Sequence, residues 1–207
     1  FQQSTELVFN SEILRSATDE NYPDRPDGVV VYNGIPLDEI EGAETATLPE
    51  RFPEDRLKIV SLGELIPRKN HEIVIRAIAS LEPESRPYYM IIGDGSNRDH
   101  LETLVEENDL DSLVHFTGQI PEHKRVFSLL KAVDMMVLPS VDEAFGIAYI
   151  EAMACECAVI GCEGEGPSEF VDDGQTGFLV PKNESEPIAK ILAELANDRE
   201  RVAKIGE

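Results

Sequence analysis

Basic side chains are few: 18 Lys and Arg stand against 41 Asp and Glu, for a formal net charge of −23 over 207 residues. Binding nucleic acid through its phosphates needs a basic face, and an anionic membrane surface would repel this chain, so neither is expected as a partner. The acid excess has two readings: a surface solvated for high salt, as in a halophile, or a face for a basic partner. The carboxylates run along the whole chain instead of forming a tail, which favours high salt. Cysteine is also scarce. Cys155, Cys157 and Cys162 lie in apolar stretches, match neither a disulfide framework nor a zinc spacing, and read as small buried hydrophobes of a reduced compartment. No apolar run approaches the roughly 20 residues of a membrane helix. No leader pattern follows Phe1, and the chain reads as a piece of a longer protein.

What is present is an alternation of strand and helix patterns. Short apolar runs suited to buried parallel strands occur at Val29–Tyr32, Leu57–Ser61, Tyr88–Ile92, Val114–Thr117, Met135–Leu138 and Ala158–Gly161. Helical patterns lie between them at His71–Leu81, Asn97–Asn108, Glu122–Ala132 and Gly146–Cys155, and further short elements run to the end of the chain. This order predicts an α/β fold with a doubly wound parallel sheet, Rossmann-like. Residues 1–21, where Asn10 or Ser11 is placed to cap a helix, read as the tail of a preceding domain. Residues 22–28 read as a linker, 29–195 as the Rossmann-like domain, and 196–207 as a C-terminal helix. Residues 42–56, with Pro, Glu and Thr, read as a surface excursion.

Ligands of such sheets sit beyond the carboxyl ends of the strands. After the strand at Leu57–Ser61 comes Gly63-Glu-Leu-Ile-Pro-Arg-Lys-Asn70, in a stretch where Lys58, Arg68, Lys69 and Arg76 outnumber Glu64 and Glu72. An acidic protein that holds a diphosphate needs such local cations, and a helix start adds free N–H donors. Arg68 and Lys69 are equally consistent with ordinary loop charges. The segment Glu143-Ala-Phe-Gly-Ile-Ala-Tyr-Ile-Glu151 leads into a helix that is apolar nearly all round and therefore expected to be buried. Glu151 is its only charge and needs a partner, either an internal cation or a ligand such as a ribose diol. Glu143 reads either as a site carboxylate or as a charge favouring the helix start.

The segment with Glu143, Phe145, Gly146 and Glu151 resembles the E-x7-E motif of retaining GT-B glycosyltransferases, especially family 4. Other motifs follow in register: Tyr32-Asn-Gly-Ile35, Gly63…Pro67-Arg-Lys69, Ile92-Gly-Asp-Gly95, His115-Phe-Thr-Gly118, Leu138-Pro-Ser140, Ser168-Glu-Phe-Val171 and Asp173–Val180. The resemblance covers about Val29 to Val180 and implies the C-terminal, donor-binding domain of a GT-B fold, whose own N-terminal domain completes the site. It implies transfer of a sugar from a nucleotide diphosphate-sugar to a saccharide or lipid-linked acceptor with retention, and a fragment inactive by itself. The implied roles are diphosphate binding for Arg68, Lys69 and the N–H groups of Phe145, Gly146 and Ile147, ribose binding for Glu151, contact with the transferred sugar for Glu143, and a place beside the base for Ile120. A cytoplasmic location follows, with membrane contact left to the missing domain.

Two residues depart from the family pattern: Glu64 stands where an Arg is common, and Ala144 where a Gly is common. No metal or other cofactor is expected, because Asp109-Leu-Asp111 reads as a solvated turn, and His71, His100, His115 and His123 read as structural or surface residues. The carboxylates of Glu163, Glu165, Glu169, Asp172 and Asp173 read as solvated surface, although Glu169 matches a family position near the cleft. Gly164 and Gly166 mark either a close backbone approach or a plain loop. A sugar-nucleotide epimerase, a phosphorylase-like enzyme and a non-enzymatic nucleotide-sugar module are the rival readings of the same architecture.

Overall fold

The computed structural model describes residues 6–50, 52 and 55–207. Residues 1–5 of the expected tail, and 51, 53 and 54 of the expected excursion, lie outside the described residues. The chain begins with β1 (Leu7–Phe9), α1 (Glu12–Asn21), β2 (Gly28–Val30) and α2 (Leu37–Glu41). It continues with β3 (Lys58–Leu62), α3 (His71–Ala79), β4 (Tyr88–Ile92), α4 (Arg98–Glu107), β5 (Val114–Gly118) and α5 (His123–Leu130). It ends with β6 (Met135–Val137), α6 (Ile147–Ala154), β7 (Ala158–Cys162), β8 (Phe178–Val180), α7 (Ser185–Leu195) and α8 (Arg199–Gly206).

Six strands form one parallel sheet in the order β5-β4-β3-β6-β7-β8. Alternate side chains of each strand feed two cores, one on each face. Ile59, Tyr89, Ile91, Met135, Val137 and Ile160 pack with α3, α4, α7 and α8. Val60, Met90, Ile92, Met136 and Val159 pack with α2, α5 and α6. A sheet buried on both sides explains why its strands read as nearly continuous apolar runs. From β3 the chain builds outward through β4 and β5, then crosses back to place β6 on the other side of β3. That reversal opens a crevice beyond the carboxyl ends of β3 and β6, the position where doubly wound sheets bind ligands.

Three expectations are corrected. The apolar run at Val29–Tyr32 does not join the main sheet: Gly28–Val30 pairs in parallel with Leu7–Phe9 as a separate two-stranded sheet. An apolar run marks a strand but carries no information about its ladder partner, and here the preceding segment supplies one. The excursion at 42–56 is partly core, since Ala43 and Phe52 are buried, with the Phe52 ring 5.3 Å from that of Tyr88. Finally, α6 is not buried all round: Tyr149 and Ala152 are buried, while Ile147 is 44% exposed. Ile147 lines the crevice, while Ala148, Met153 and Ala154 pack partly buried against the core.

The opening segment is tied to the main body. The Ser11 hydroxyl accepts from Leu14 N–H at 3.0 Å, capping α1, and the Glu169 carboxylate accepts from the Glu12 and Ile13 N–H groups at 3.0 and 2.7 Å. A carboxylate on the orphan donors of a helix start is a favourable pairing of charge and dipole.

Candidate functional site

The loops after β3 and β6 meet in a cleft of about 480 Å³. Lys69, Glu143, Phe145, Gly146, Ile147 and Glu151 all line it, so five of the positions singled out beyond the β3 turn converge on Lys69. The turn after β3 runs into a 3-10 turn, Pro67–Lys69, and Asn70 takes a left-handed conformation (φ 55°) that ends the turn and starts α3. The two loops are stitched together: Val141 N–H donates to the Arg68 carbonyl at 2.8 Å, and Asn70 Nδ2 donates to the Pro139 carbonyl at 2.9 Å. Lys69 Nζ reaches across to Glu143 Oε2 at 2.6 Å, an ion pair with both side chains mostly buried.

Gly146 sets up the start of α6. Its φ is +89°, and a Cβ there would lie 2.6 Å from Tyr149 Cδ2, so the turn is open only to glycine. Tyr149 beneath it is fully buried, with its hydroxyl donating to the Leu138 carbonyl. Phe145 is held between Tyr32 and Phe170, at ring distances of 5.8 and 5.5 Å. Among the described residues, the N–H groups of Phe145, Gly146 and Ile147 have no protein acceptor. Those of Gly146 and Ile147 are unpaired donors of the kind any α-helix start presents, and that of Phe145 lies just before the cap.

Glu151 stands one turn into α6, half-buried on the cleft wall. Burial raises its pKa above the ordinary carboxylate value, and nearby His123 opposes that shift. Among the described residues it has no ion pair, so the internal-cation alternative is not realised. His123, which read as structural or surface, lines the same cleft, as do Asn10 of the opening segment and Asn33 between β2 and α2. Ile120 lines an adjoining hollow of about 460 Å³ together with Gln119 and Asp94, and the two spaces share Leu62, Gly63 and Glu64. The carboxylate residue Glu64 is exposed at this junction.

The structure does not gather every residue singled out from the sequence. Arg68 is exposed and does not line the cleft, because the 3-10 turn directs successive side chains to different sides and only Lys69 points inward. Asp109 and Asp111 are exposed beyond α4, and His100 pairs with Glu72 at 2.8 Å. His71 is buried at the start of α3, where burial lowers its pKa to about 4 and keeps it neutral. The three cysteines are buried thiols, and burial pushes Cys155 and Cys162 up to about 11.

The acidic stretch 163–173 is not all solvated surface. Glu165 is 5% exposed, accepts from the Glu143 N–H at 2.6 Å and pairs with Lys182 Nζ at 2.5 Å. Gly166 packs so closely that a Cβ would lie 2.4 Å from the Phe145 carbonyl oxygen. Gly166 was the available signal: it allows the chain to press against the loop of Glu143 and Phe145, which buries Glu165 beside it, whereas Gly164 only supplies a left-handed turn (φ 68°) with open space around it.

Comparison with known proteins places this geometry. The family described as Glycosyl transferases group 1 matches residues 44–207. An uncharacterized glycosyltransferase of Methanocaldococcus jannaschii, MJ1178, is 29% identical over 206 residues, covering 99% of this chain and 53% of that protein. The crystal structure of the C-terminal domain of a glycosyl transferase group 1 family protein (LpcC) from Francisella tularensis superposes with a TM-score of 0.71 at 27% identity, covering 84% of this chain and 93% of that one. The Anabaena protein Alr3699/HepE, crystallised with UDP-glucose, shares the fold with a TM-score of 0.83 at 23% identity, covering 98% of this chain and 57% of that one. The chain therefore has the α/β architecture of a GT-B C-terminal domain, and it spans about half the length of MJ1178.

Proposed function

The chain belongs to the glycosyl transferases group 1 family, and from that premise we propose that its cleft holds the nucleotide diphosphate-sugar donor of a retaining sugar transfer. The observation that carries this reading is the convergence of Lys69, the free N–H groups at the start of α6 and an unpaired Glu151 on one crevice. Lys69 and the three N–H groups of Phe145, Gly146 and Ile147 take the diphosphate and stabilise its charge as it departs. Glu151 accepts from the ribose hydroxyls, which replaces the partner it lacks in the protein. The base lies in the adjoining hollow beside Ile120, and Glu143 contacts the transferred sugar. Arg68 contributes to the diphosphate only through long-range charge, since its side chain stays outside the cleft. The residues of an E-x7-E motif thus divide the donor between them.

The acceptor, a saccharide or lipid-linked sugar, approaches from the side of Asn10 and Asn33, and an N-terminal domain completes the cleft and excludes water on closure. UDP-glucose is the first donor to test, because a protein of the same fold binds it. The acidic surface is a surface for high salt, where its self-repulsion is screened. Incubating the full-length protein with UDP-, GDP- and ADP-sugars and a range of acceptors tests the proposal. Transfer with retained anomeric configuration supports it. Epimerised sugar, phosphorolysis, or no turnover of any donor contradicts it.

A further inference from the structure

We propose that Glu165 is the positioning residue for Glu143, an inference that rests on the donor-site reading above. Its carboxylate lies directly behind the cleft, with 6% of the side chain exposed. One oxygen accepts from the Glu143 N–H at 2.6 Å, and the other takes Lys182 Nζ at 2.5 Å. The next residue completes the hold, with Gly166 N–H donating to the Glu143 carbonyl at 2.7 Å. Both polar groups of residue 143 are thus gripped by two consecutive residues of a neighbouring loop, which fixes the direction of its side chain.

The grip matters most once the cleft is filled. In the free protein the Glu143 side chain is also anchored by Lys69. A diphosphate draws Lys69 to itself and that anchor is lost, which leaves the backbone grip and a long 3.4 Å hydrogen bond from Ser140 Oγ to keep Glu143 aimed at the sugar. A buried carboxylate is costly without partners, and a loop needing only filling would be served by an apolar side chain. Here the carboxylate meets the main chain of the residue whose own carboxylate stands in the cleft, while Lys182, whose side chain is 46% exposed, supplies the balancing charge from the solvent side.

The test compares Glu165→Ala and Glu165→Gln in the full-length protein, by steady-state kinetics with the best-used donor of a UDP-, GDP- and ADP-sugar panel and by amide hydrogen exchange. Alanine removes the acceptor of the Glu143 N–H. Glutamine keeps an acceptor oxygen and gives up the charge, leaving Lys182 free to turn into solvent. Glu165→Ala is expected to lower kcat by roughly 10- to 100-fold, the cost of a slight misplacement at a reacting centre, while the donor KM stays within about threefold because Lys69 is untouched. Glu165→Gln restores kcat to within about threefold of wild type. Exchange protection of the peptide around Glu143 falls in the alanine variant alone, with the rest of the exchange pattern showing that it is folded. Unchanged kcat or unchanged protection in Glu165→Ala overturns the proposal, as does a glutamine variant as impaired as the alanine one. If the wild-type protein transfers no sugar, the donor-site reading fails, and the exchange data still decide whether Glu165 holds Glu143.

Discussion

Lys69 and Glu143, one from each side of the crevice, neutralise each other at 2.6 Å, with 14% and 16% of their side chains exposed. The cation that would meet a diphosphate is therefore already engaged by the carboxylate that would meet the sugar. A ligand must exchange one anionic partner of Lys69 for another. Replacing Glu143 by Gln removes the competing charge, so Glu143→Gln is expected to bind a nucleoside diphosphate about tenfold or more tightly, in line with the ~1.5–3 kcal/mol typical of a hydrogen bond to a charged group, while sugar transfer is lost. Titration calorimetry beside a transfer assay checks this, and weaker diphosphate binding by the variant would contradict it.

Glu151 gives a pH signature. Burial raises its folded pKa above the ordinary 4.5, so the folded state holds the proton more firmly than the unfolded chain. Below the ordinary value both states are protonated and Glu151 makes no difference. As pH rises through the interval up to the folded pKa, stability is lost, and above it the full cost of the buried charge is present. Glu151→Gln should therefore melt higher than wild type at neutral pH and equally below pH 4.5. Equal melting temperatures at neutral pH would show that the charge is not destabilising.

Glu151 also discriminates among ligands. Its replacement by Ala should weaken a ribonucleoside diphosphate more than the matching 2′-deoxy compound, since the lost acceptor served the vicinal hydroxyls. Equal losses in parallel titrations would remove Glu151 from the ribose.

Gly146→Ala places a methyl group 2.6 Å from the Tyr149 ring at φ +89°. Left-handed strain at a non-glycine residue costs about 1–3 kcal/mol, and the clash adds to it, so chemical denaturation should show at least that loss. Diphosphate affinity should fall as well, because the N–H groups beside Gly146 are displaced. A variant with wild-type stability would mean that the turn is not constrained.

A formal charge of −23 predicts a response to salt. From about 0.1 M to about 1 M KCl the screening length shrinks from about 10 Å to about 3 Å, and the melting temperature should rise markedly as repulsion between carboxylates fades. A flat or falling melting temperature would exclude a surface adapted to high salt.

The strands of the central sheet were legible because burial on both faces makes them nearly continuous apolar runs, as in Tyr88–Ile92 and Ala158–Cys162. The loops of Lys69 and Glu143 were legible because each follows a strand, where such sheets bind ligands, while the reversal of strand order that brings the two together is seen only in the structure. The partner of Gly28–Val30 was not, since pairing depends on where a distant segment passes. Nor was the outward turn of Arg68, because adjacent positions of a 3-10 turn diverge by about a third of a circle. Glu165 escaped notice for a related reason: a carboxylate in an acidic, glycine-rich loop looks solvated until the loop it backs onto is known.

Binding of nucleotides to the wild-type protein and to Lys69→Ala, followed by calorimetry, tests the central claim most directly. The probes are UDP, GDP and ADP with their monophosphates. The account predicts that at least one diphosphate binds roughly tenfold or more tightly than its monophosphate, about 1.4 kcal/mol, and that Lys69→Ala abolishes this preference. No binding by any diphosphate, or a preference that survives the loss of Lys69, would contradict it.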